Sequence, residues 1–267
     1  MCLKKIIVIP ARMASTRFPN KPLALIQGVP MIERVWRIAQ AVTGVDQIYI
    51  ATDDKSLQEF VASLGASVLM TSSSCLTGMD RVAEVAQILG HPDAIFFNLQ
   101  GDAVLTPPWI IQSVIEEMAS DPSVQIATPA VLLTGEALHQ FVQDKRQGSS
   151  SGTAVVFDRH KNALYFSKAL LPYQREGTAN IYRHIGLYGY RQKALLELSS
   201  LPEGPLEKAE KLEQLRALEN SIPIRVVEVD YRGRTHGSVD RPEDVHFVES
   251  ILRSEGELLQ CSRSKLF

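Results

Sequence analysis

The chain has 267 residues, 45% of them hydrophobic and 22% charged, with a formal net charge of −2. That length suits one large α/β domain or two modest ones, and the charge balance supplies no basic field for nucleic acid or an anionic membrane surface. The three cysteines, Cys2, Cys75 and Cys261, are scattered and odd in number, so neither a disulfide framework nor a metal-ligand spacing is expected and a reducing, cytoplasmic setting is. Hydropathy agrees: Ile6–Ile9 is too short for a signal-peptide core, and no run approaches the ~18 apolar residues of a membrane span.

Taken in order, Ile6 to Ile9 reads as a buried strand bounded by Pro10. The segment Pro10–Pro22 that follows carries Arg12, Ser15, Thr16, Arg17 and Lys21 between prolines that keep it from becoming helical. Met31, Ile32, Val35, Trp36, Ala39 and Val42 then recur at helical spacing, with Pro30 near the first turn. Gln47–Thr52 is a second strand, Asp53 or Asp54 can cap a helix ending at Gly65, and Ser67–Met70 is a third strand. Val82, Val85, Ala86 and Leu89 mark a further helix closed by Gly90, and Ala94–Leu99 is an almost wholly apolar central strand. Alternating strands and helices imply a parallel sheet with ligands at the carboxyl ends of its strands. Both the Arg12 loop and Gln100-Gly101-Asp102 fall at such ends.

The second half is less regular. Gln143–Gly152 is polar and reads as a flexible loop, followed by β-like runs at Thr153–Phe157, Ala163–Ser167 and Ile185–Tyr190. Helices are predicted over Gln192–Leu198, Leu206–Leu218 and Pro242–Ser254, with a strand at Ile224–Val229. No linker declares a boundary, so residues 1–267 read as a single domain with a β-rich element near 143–190 and a polar tail near 256–267.

Several groups could do chemistry. Arg12, Arg17 and Lys21 can neutralise phosphate oxygens while Ser15, Thr16 and backbone N–H groups donate hydrogen bonds. A solvated basic loop is the competing interpretation, less favoured because strand-end placement and paired hydroxyls both suit phosphate. Neither a P-loop nor a Gly-x-Gly-x-x-Gly fingerprint is present. Asp102 could hold Mg²⁺ or be a plain turn residue, and Asp240 reads by composition as a helix N-cap. For His184, ligand-facing and structural roles stand level. Glu207, Glu210 and Glu213, three apart, have the pattern of a solvated helix face. No Gly-x-Ser-x-Gly elbow supports serine hydrolase chemistry.

In combination the chain resembles the 3-deoxy-manno-octulosonate cytidylyltransferase (CMP-Kdo synthetase) family from about Lys5 to Leu252. The matching stretches, in order, are Ile9–Pro22, Ala51–Asp54, Thr77–Val85, Asn98–Asp102, Ala163–Ser167, Arg183–Arg191, Leu212–Arg216 and Val239–Asp244. The resemblance implies a Rossmann-like, glycosyltransferase-A type α/β sheet with helices on both faces, a homodimer, and a nucleotidyltransferase active in lipopolysaccharide biosynthesis. In that family the anomeric hydroxyl of Kdo attacks the α-phosphate of CTP and pyrophosphate leaves. Carried over by position, Ala11, Arg12, Ser15, Thr16, Arg17, Lys21, Arg81 and Gln100 would bind the nucleotide, with Arg12, Lys21 and Asp102 catalytic. Asp102 and Asp240 would be Mg²⁺ ligands, displacing the cap interpretation of Asp240. Gln100, Lys168, His184, Tyr188, Glu210 and Gln214 would face the sugar acid.

The departures fall on the acceptor side. Ala103-Val104 replaces the family's Glu-Pro, Ala154 replaces a strand lysine, and Lys168 stands where an arginine is expected and cannot make a planar bidentate bond to a carboxylate. They leave room for a divergent acceptor such as 8-amino-Kdo or a phosphonate. A binding protein without activity is the alternative from another class, disfavoured by the intact Arg12, Lys21, Asp102 and Asp240.

Overall fold

The computed structural model describes residues 3–14, 17–175 and 179–259. Two compact units emerge, one of Cys2–His91, Phe96–Gln112 and Tyr231–Phe267, the other built on Pro92–Ile95 and Ser113–Asp230.

In the first unit β1 (Lys5–Pro10) is followed by a 3-10 turn, Lys21–Leu23, and a short hairpin of β2 (Leu25–Ile26) and β3 (Val29–Pro30). Then come α1 (Met31–Gln40), β4 (Gln47–Thr52), α2 (Lys55–Ser63), β5 (Ser67–Met70), α3 (Gly78–Leu89) and β6 (Ile95–Asn98). The strand order is β5-β4-β1-β6, with β1 parallel to β4 and β4 parallel to β5. Ile6, Ile7, Val8 and Ile9 are all fully buried. Because successive side chains point to opposite faces, both faces of β1 are covered, as the alternation of strand and helix requires. Asp54, not Asp53, caps α2, its Oδ1 accepting from Leu57 N at 2.9 Å. Gly90 ends α3 in the left-handed region at φ 62, where a side chain would be strained.

The hairpin, α4 (Pro108–Ser120), β7 (Ile126–Leu132) and α5 (Gly135–Arg146) were not anticipated from the sequence. The last of these corrects the flexible-loop reading of Gln143–Gly152: residues through Arg146 are helical. The Lys145 ammonium then gathers the following turn, donating to Ser151 O at 2.7 Å and Gly152 O at 2.8 Å.

In the second unit β8 (Thr153–Phe157), β9 (Ala163–Ser167), β10 (Tyr182–His184) and β11 (Tyr188–Arg191) join β7 in the order β11-β7-β10-β8-β9. Of the expected strand over Ile185–Tyr190 only Tyr188–Tyr190 is in a strand, as part of β11; β10 comes before it, and both are antiparallel to β7. Between them Ile185 N still donates to Pro129 O at 3.0 Å, and the Thr128 hydroxyl donates to Leu187 O at 2.7 Å. After α6 (Gln192–Ser200), the predicted single helix over Leu206–Leu218 is split into α7 (Pro205–Glu210) and α8 (Leu215–Glu219), with Lys211 in the left-handed region at φ 54. Beyond them β12 (Ile224–Glu228) lies parallel to β7, and α9 (Pro242–Glu255) belongs to the first unit. No helix among the described residues is long and apolar enough to cross a membrane.

The acidic run on α7 is not a solvated face. Glu207 is 4% exposed and its carboxylate accepts from Arg216 Nε at 2.8 Å and Nη2 at 2.6 Å, with Arg216 itself 7% exposed. Removing one partner of such a pair strands the other charge away from water. Glu207→Ala is therefore expected to lower unfolding free energy by about 3–5 kcal/mol in urea denaturation. A loss below about 1 kcal/mol, the range of an exposed pair, would contradict the burial.

Candidate active site

The loop after β1 leaves the sheet with Ala11 N donating to Ala51 O at 2.9 Å, so the chain stays in register with β4 for one residue beyond the strand. The neighbouring strand β6 is followed by Leu99, whose N–H donates to Val8 O at 3.0 Å, and the chain then turns through Gln100-Gly101-Asp102. A Cβ on Gly101 would meet Pro10 O at 2.8 Å, closer than a real Cβ approaches. Glycine is therefore what lets these two strand ends converge.

An open cleft of about 320 Å³ forms there, lined by Arg12, Arg17, Lys21, Arg81, Asp102 and Asp240, with Thr77, Gly78 and Gln100 among its remaining walls. Its volume suits a small ligand, and four cationic side chains against two carboxylates suit an anionic one. Lys21 Nζ lies 2.6 Å from Asp102 Oδ2 and 4.0 Å from Asp240 Oδ1, and Arg17 Nη2 lies 3.6 Å from the same Asp240 oxygen. Arg12 is exposed, donating to Leu76 O at 3.4 Å. Ser15 and Thr16 lie outside the described residues.

Asp240 is free of the capping role that composition suggests. Asp244 does that work, its Oδ2 accepting from Asp240 N at 2.7 Å and Arg241 N at 2.8 Å. The Asp240 carboxylate is left facing Lys21 and Arg17. It is tied to its counterpart through the backbone as well, since Val239 N donates to Asp102 O at 3.3 Å. Two carboxylates gathered about one ammonium form a place where a cation is already favoured. Among the described residues no group of three or more His, Cys, Asp or Glu side chains gathers as a metal cage. A pair of carboxylates is the donor set of a Mg²⁺ that completes its shell with water and substrate phosphates.

Partners not anticipated from the sequence set the other walls. Arg81, 3% exposed, pairs with Asp53 Oδ1 at 3.4 Å and donates to Thr71 Oγ1. Gln100 Nε2 donates to Asn98 Oδ1 at 3.1 Å, and a Cβ on Gly78 would come within 3.0 Å of the Gln100 amide. Asp53 was detectable as the other half of the Asp53-Asp54 pair at a strand end. Thr71 gave no signal, because it acts only through Arg81, ten residues on, and Asn98 was marked only as part of the Asn98–Asp102 stretch.

The residues that the family resemblance assigns to the sugar acid, Gln100 apart, belong to the second unit. His184 is buried, its Nε2 3.0 Å from Thr128 Oγ1, with the Phe166 ring edge-on at 4.9 Å and Tyr188 at 5.6 Å. The Thr128 proton is directed at Leu187 O, so Thr128 Oγ1 accepts from the imidazole. Burial pushes the Tyr188 and Tyr190 hydroxyls well above the usual phenol range, keeping both neutral. Glu210 accepts from Ser167 Oγ at 2.6 Å and Lys168 N at 2.8 Å, and Lys168 Nζ donates to Thr153 Oγ1 at 3.1 Å. Gln214 is buried with its Nε2 unpartnered among the described residues, a donor available to a ligand oxygen.

Ala154 is a different matter. Register pairs His184 with Thr153 and Arg183 with Ala154, so Ala154 points away from the His184 face. It is fully buried in a cluster with Leu133, Phe141 and Ile181. The expectation that alanine here removes a cation from the acceptor side is corrected: in this chain the position is core.

Cys75 also lines the cleft, its thiol donating to Glu84 Oε2 at 2.9 Å. Burial, reinforced by the Glu84 carboxylate, pushes the thiol up to about 12. Since the thiolate is the reactive form, Cys75 should alkylate with iodoacetamide at pH 8 at least about a hundredfold more slowly than an ordinary thiol of pKa about 8.5. Peptide mapping after timed labelling measures this. Glu84→Gln should speed the reaction, and fast labelling of the parent protein would refute the contact.

A sequence profile of cytidylyltransferases matches residues 6–224. The chain is 52% identical over 255 residues to the 3-deoxy-manno-octulosonate cytidylyltransferase of Maricaulis maris, covering 94% of this chain and 98% of that one. With the enzyme of the same name from Myxococcus xanthus it shares 44% identity, covering 95% and 98%. The solved structure of CMP:2-keto-3-deoxy-manno-octonic acid synthetase complexed with CTP superposes with a TM-score of 0.84 at 35% identity, over 94% of this chain and 99% of that one. Similarity of this extent, together with the cationic cleft at the ends of β1 and β6, places the chain in the 3-deoxy-manno-octulosonate cytidylyltransferase family of nucleotidyltransferases.

Proposed function

We propose that the protein transfers CMP from CTP to the anomeric hydroxyl of Kdo, releasing pyrophosphate. The observation that carries this reading is the convergence of Lys21, Asp102 and Asp240 within a cleft also lined by Arg12, Arg17 and Arg81. Arg12 and Arg17 are exposed and line the cleft, where they would meet the oxygens of the leaving pyrophosphate. Lys21 has three donors, so it can keep Asp102 while turning another proton toward the α-phosphate. The oxygen of the sugar hydroxyl attacks phosphorus and its proton passes to solvent, the bond to the bridging oxygen breaks, and negative charge grows on the departing phosphates. Fixed cations already aimed at that charge lower the barrier without reorganising.

Asp102 and Asp240 are the residues that would hold Mg²⁺, whose chemistry is to neutralise and orient the triphosphate. Lys168, His184, Tyr188, Glu210 and Gln214 are the candidates for holding the sugar acid, with Gln214 Nε2 and the Lys168 ammonium as donors. A homodimer fits the family, and the exposed Leu164 and Tyr173 offer apolar surface for a second copy. Use of CTP and a lipopolysaccharide precursor would place the reaction in the cytoplasm.

Pyrophosphate release, followed with Mg²⁺ and CTP across Kdo, 8-amino-Kdo and a phosphonate panel, tests the assignment. Turnover is expected with Kdo. Release with 8-amino-Kdo or a phosphonate alone would replace the acceptor, and release with none would remove the activity. Asp102→Asn should cut turnover by about 10²–10³-fold, the scale on which losing one preorganised charge-stabilising group is felt, with an unchanged melting temperature. A near-normal rate would remove Asp102 from the mechanism.

A further inference from the structure

Asp240 stands on backbone without regular structure, since residues 229–241 form neither helix nor strand before α9 begins at Pro242. A side chain on such a segment holds a fixed geometry only if the chain on both sides is anchored. Upstream, Thr235 N donates to both carboxylate oxygens of Glu255, at 3.0 and 3.1 Å. Arg234 Nη2 donates to Gly256 O at 2.5 Å. The irregular stretch is thus bound back onto the far end of α9.

That helix is in turn fastened to the element that follows Lys21. The Glu249 carboxylate accepts from Gln27 N at 2.8 Å, and Gln27 Nε2 donates to Glu249 O at 3.3 Å. Gln27 and Gly28 form the two-residue turn between β2 and β3, at φ 48 and φ 75. Left-handed backbone at a residue other than glycine costs energy, and both the N–H and the side chain of Gln27 are held in place by α9. Beside this contact, Arg34 Nη1 reaches Glu257 Oε2 at 2.9 Å and Oε1 at 3.1 Å, and its Nη2 reaches Oε1 at 3.1 Å. Arg34 Nε donates to Ile26 O at 2.9 Å. Arg34 is 8% exposed, so water cannot substitute for Glu257. Ala24 N donates to Lys21 O at 3.0 Å, which links the hairpin to the 3-10 turn that carries Lys21.

We propose that Gln27, Arg34, Glu249 and Glu257 form a clasp that sets Asp240 at the right distance from Asp102 for a shared divalent cation. Arg34 and Glu257 are then positioning residues, touching no reactant. The inference rests on the reading of Asp240 as a metal ligand.

Mn²⁺ serves as the probe, titrated into the CTP-saturated full-length protein and followed by electron paramagnetic resonance. Arg34→Met should weaken Mn²⁺ binding by about tenfold, as loss of an outer-shell support does at metal sites. CTP affinity measured without metal should not change, and turnover should recover at saturating Mn²⁺. Glu257→Gln, at a more exposed position, should fold normally and shift Mn²⁺ affinity in the same direction by less. Asp240→Asn is the reference and should weaken Mn²⁺ binding at least as much. If Arg34→Met and Glu257→Gln melt earlier yet bind Mn²⁺ like the parent while Asp240→Asn does not, the clasp is only structural and the proposal fails. If Asp240→Asn itself binds Mn²⁺ like the parent, the metal role of Asp240 fails first and takes the clasp with it.

Discussion

The contact between Lys21 and Asp102 is the constraint around which the nucleotide-binding unit is arranged. It joins the end of the loop after β1 to the turn after β6, two strands that are neighbours in space but more than eighty residues apart in sequence. The side chains of the pair are 18% and 23% exposed, so water screens the charges only in part while a ligand can still enter. Gly101 is needed because its backbone runs against Pro10 O, and the fully buried aliphatic strand β1 supplies the rigid base. An ion pair of this kind contributes more to geometry than to stability. It holds an ammonium and a carboxylate 2.6 Å apart in the wall of the cleft.

Much of this was legible in the sequence because the signals were local. An apolar run before a proline, a cationic loop and a capped amphipathic helix each fall within a window of a dozen residues, and β1, α2, α3 and β6 follow from them. The cleft residues Arg12, Lys21, Arg81, Gln100 and Asp102 sit at or near strand or helix ends that periodicity could place. What was not legible depended on partners far away. The acidic spacing on α7 looks solvated until Arg216 folds back onto Glu207. The stretch between β10 and β11 is held by a hydroxyl on β7, a residue unmarked in its own neighbourhood. Asp240 could be read as a cap because only the structure shows Asp244 taking that role.

On the acceptor side, register rather than composition sorts the substitutions. Thr153 and Ala154 are adjacent in sequence but face opposite ways, one toward Lys168 and His184, the other into an apolar cluster. A substitution at Ala154 therefore acts through packing, whereas one at Lys168 acts on an ammonium hydrogen-bonded to Thr153. The neutral Tyr188 and the unpartnered amide of Gln214 add hydrogen-bonding capacity without adding charge.

The attachment of α9 to the β2–β3 hairpin has a consequence for how the protein is made. More than two hundred residues separate Lys21 from Asp240, which at ordinary rates of synthesis is roughly 10–40 s of translation. During that interval the emerging chain can assemble β1, its cationic loop and, once β6 has appeared, the Lys21–Asp102 pair. Asp240 and the helix that steadies it are delivered near the end. A chain halted before α9 therefore already contains Asp240 but lacks the helix onto which its segment is bound back, so the cleft is completed only when α9 arrives.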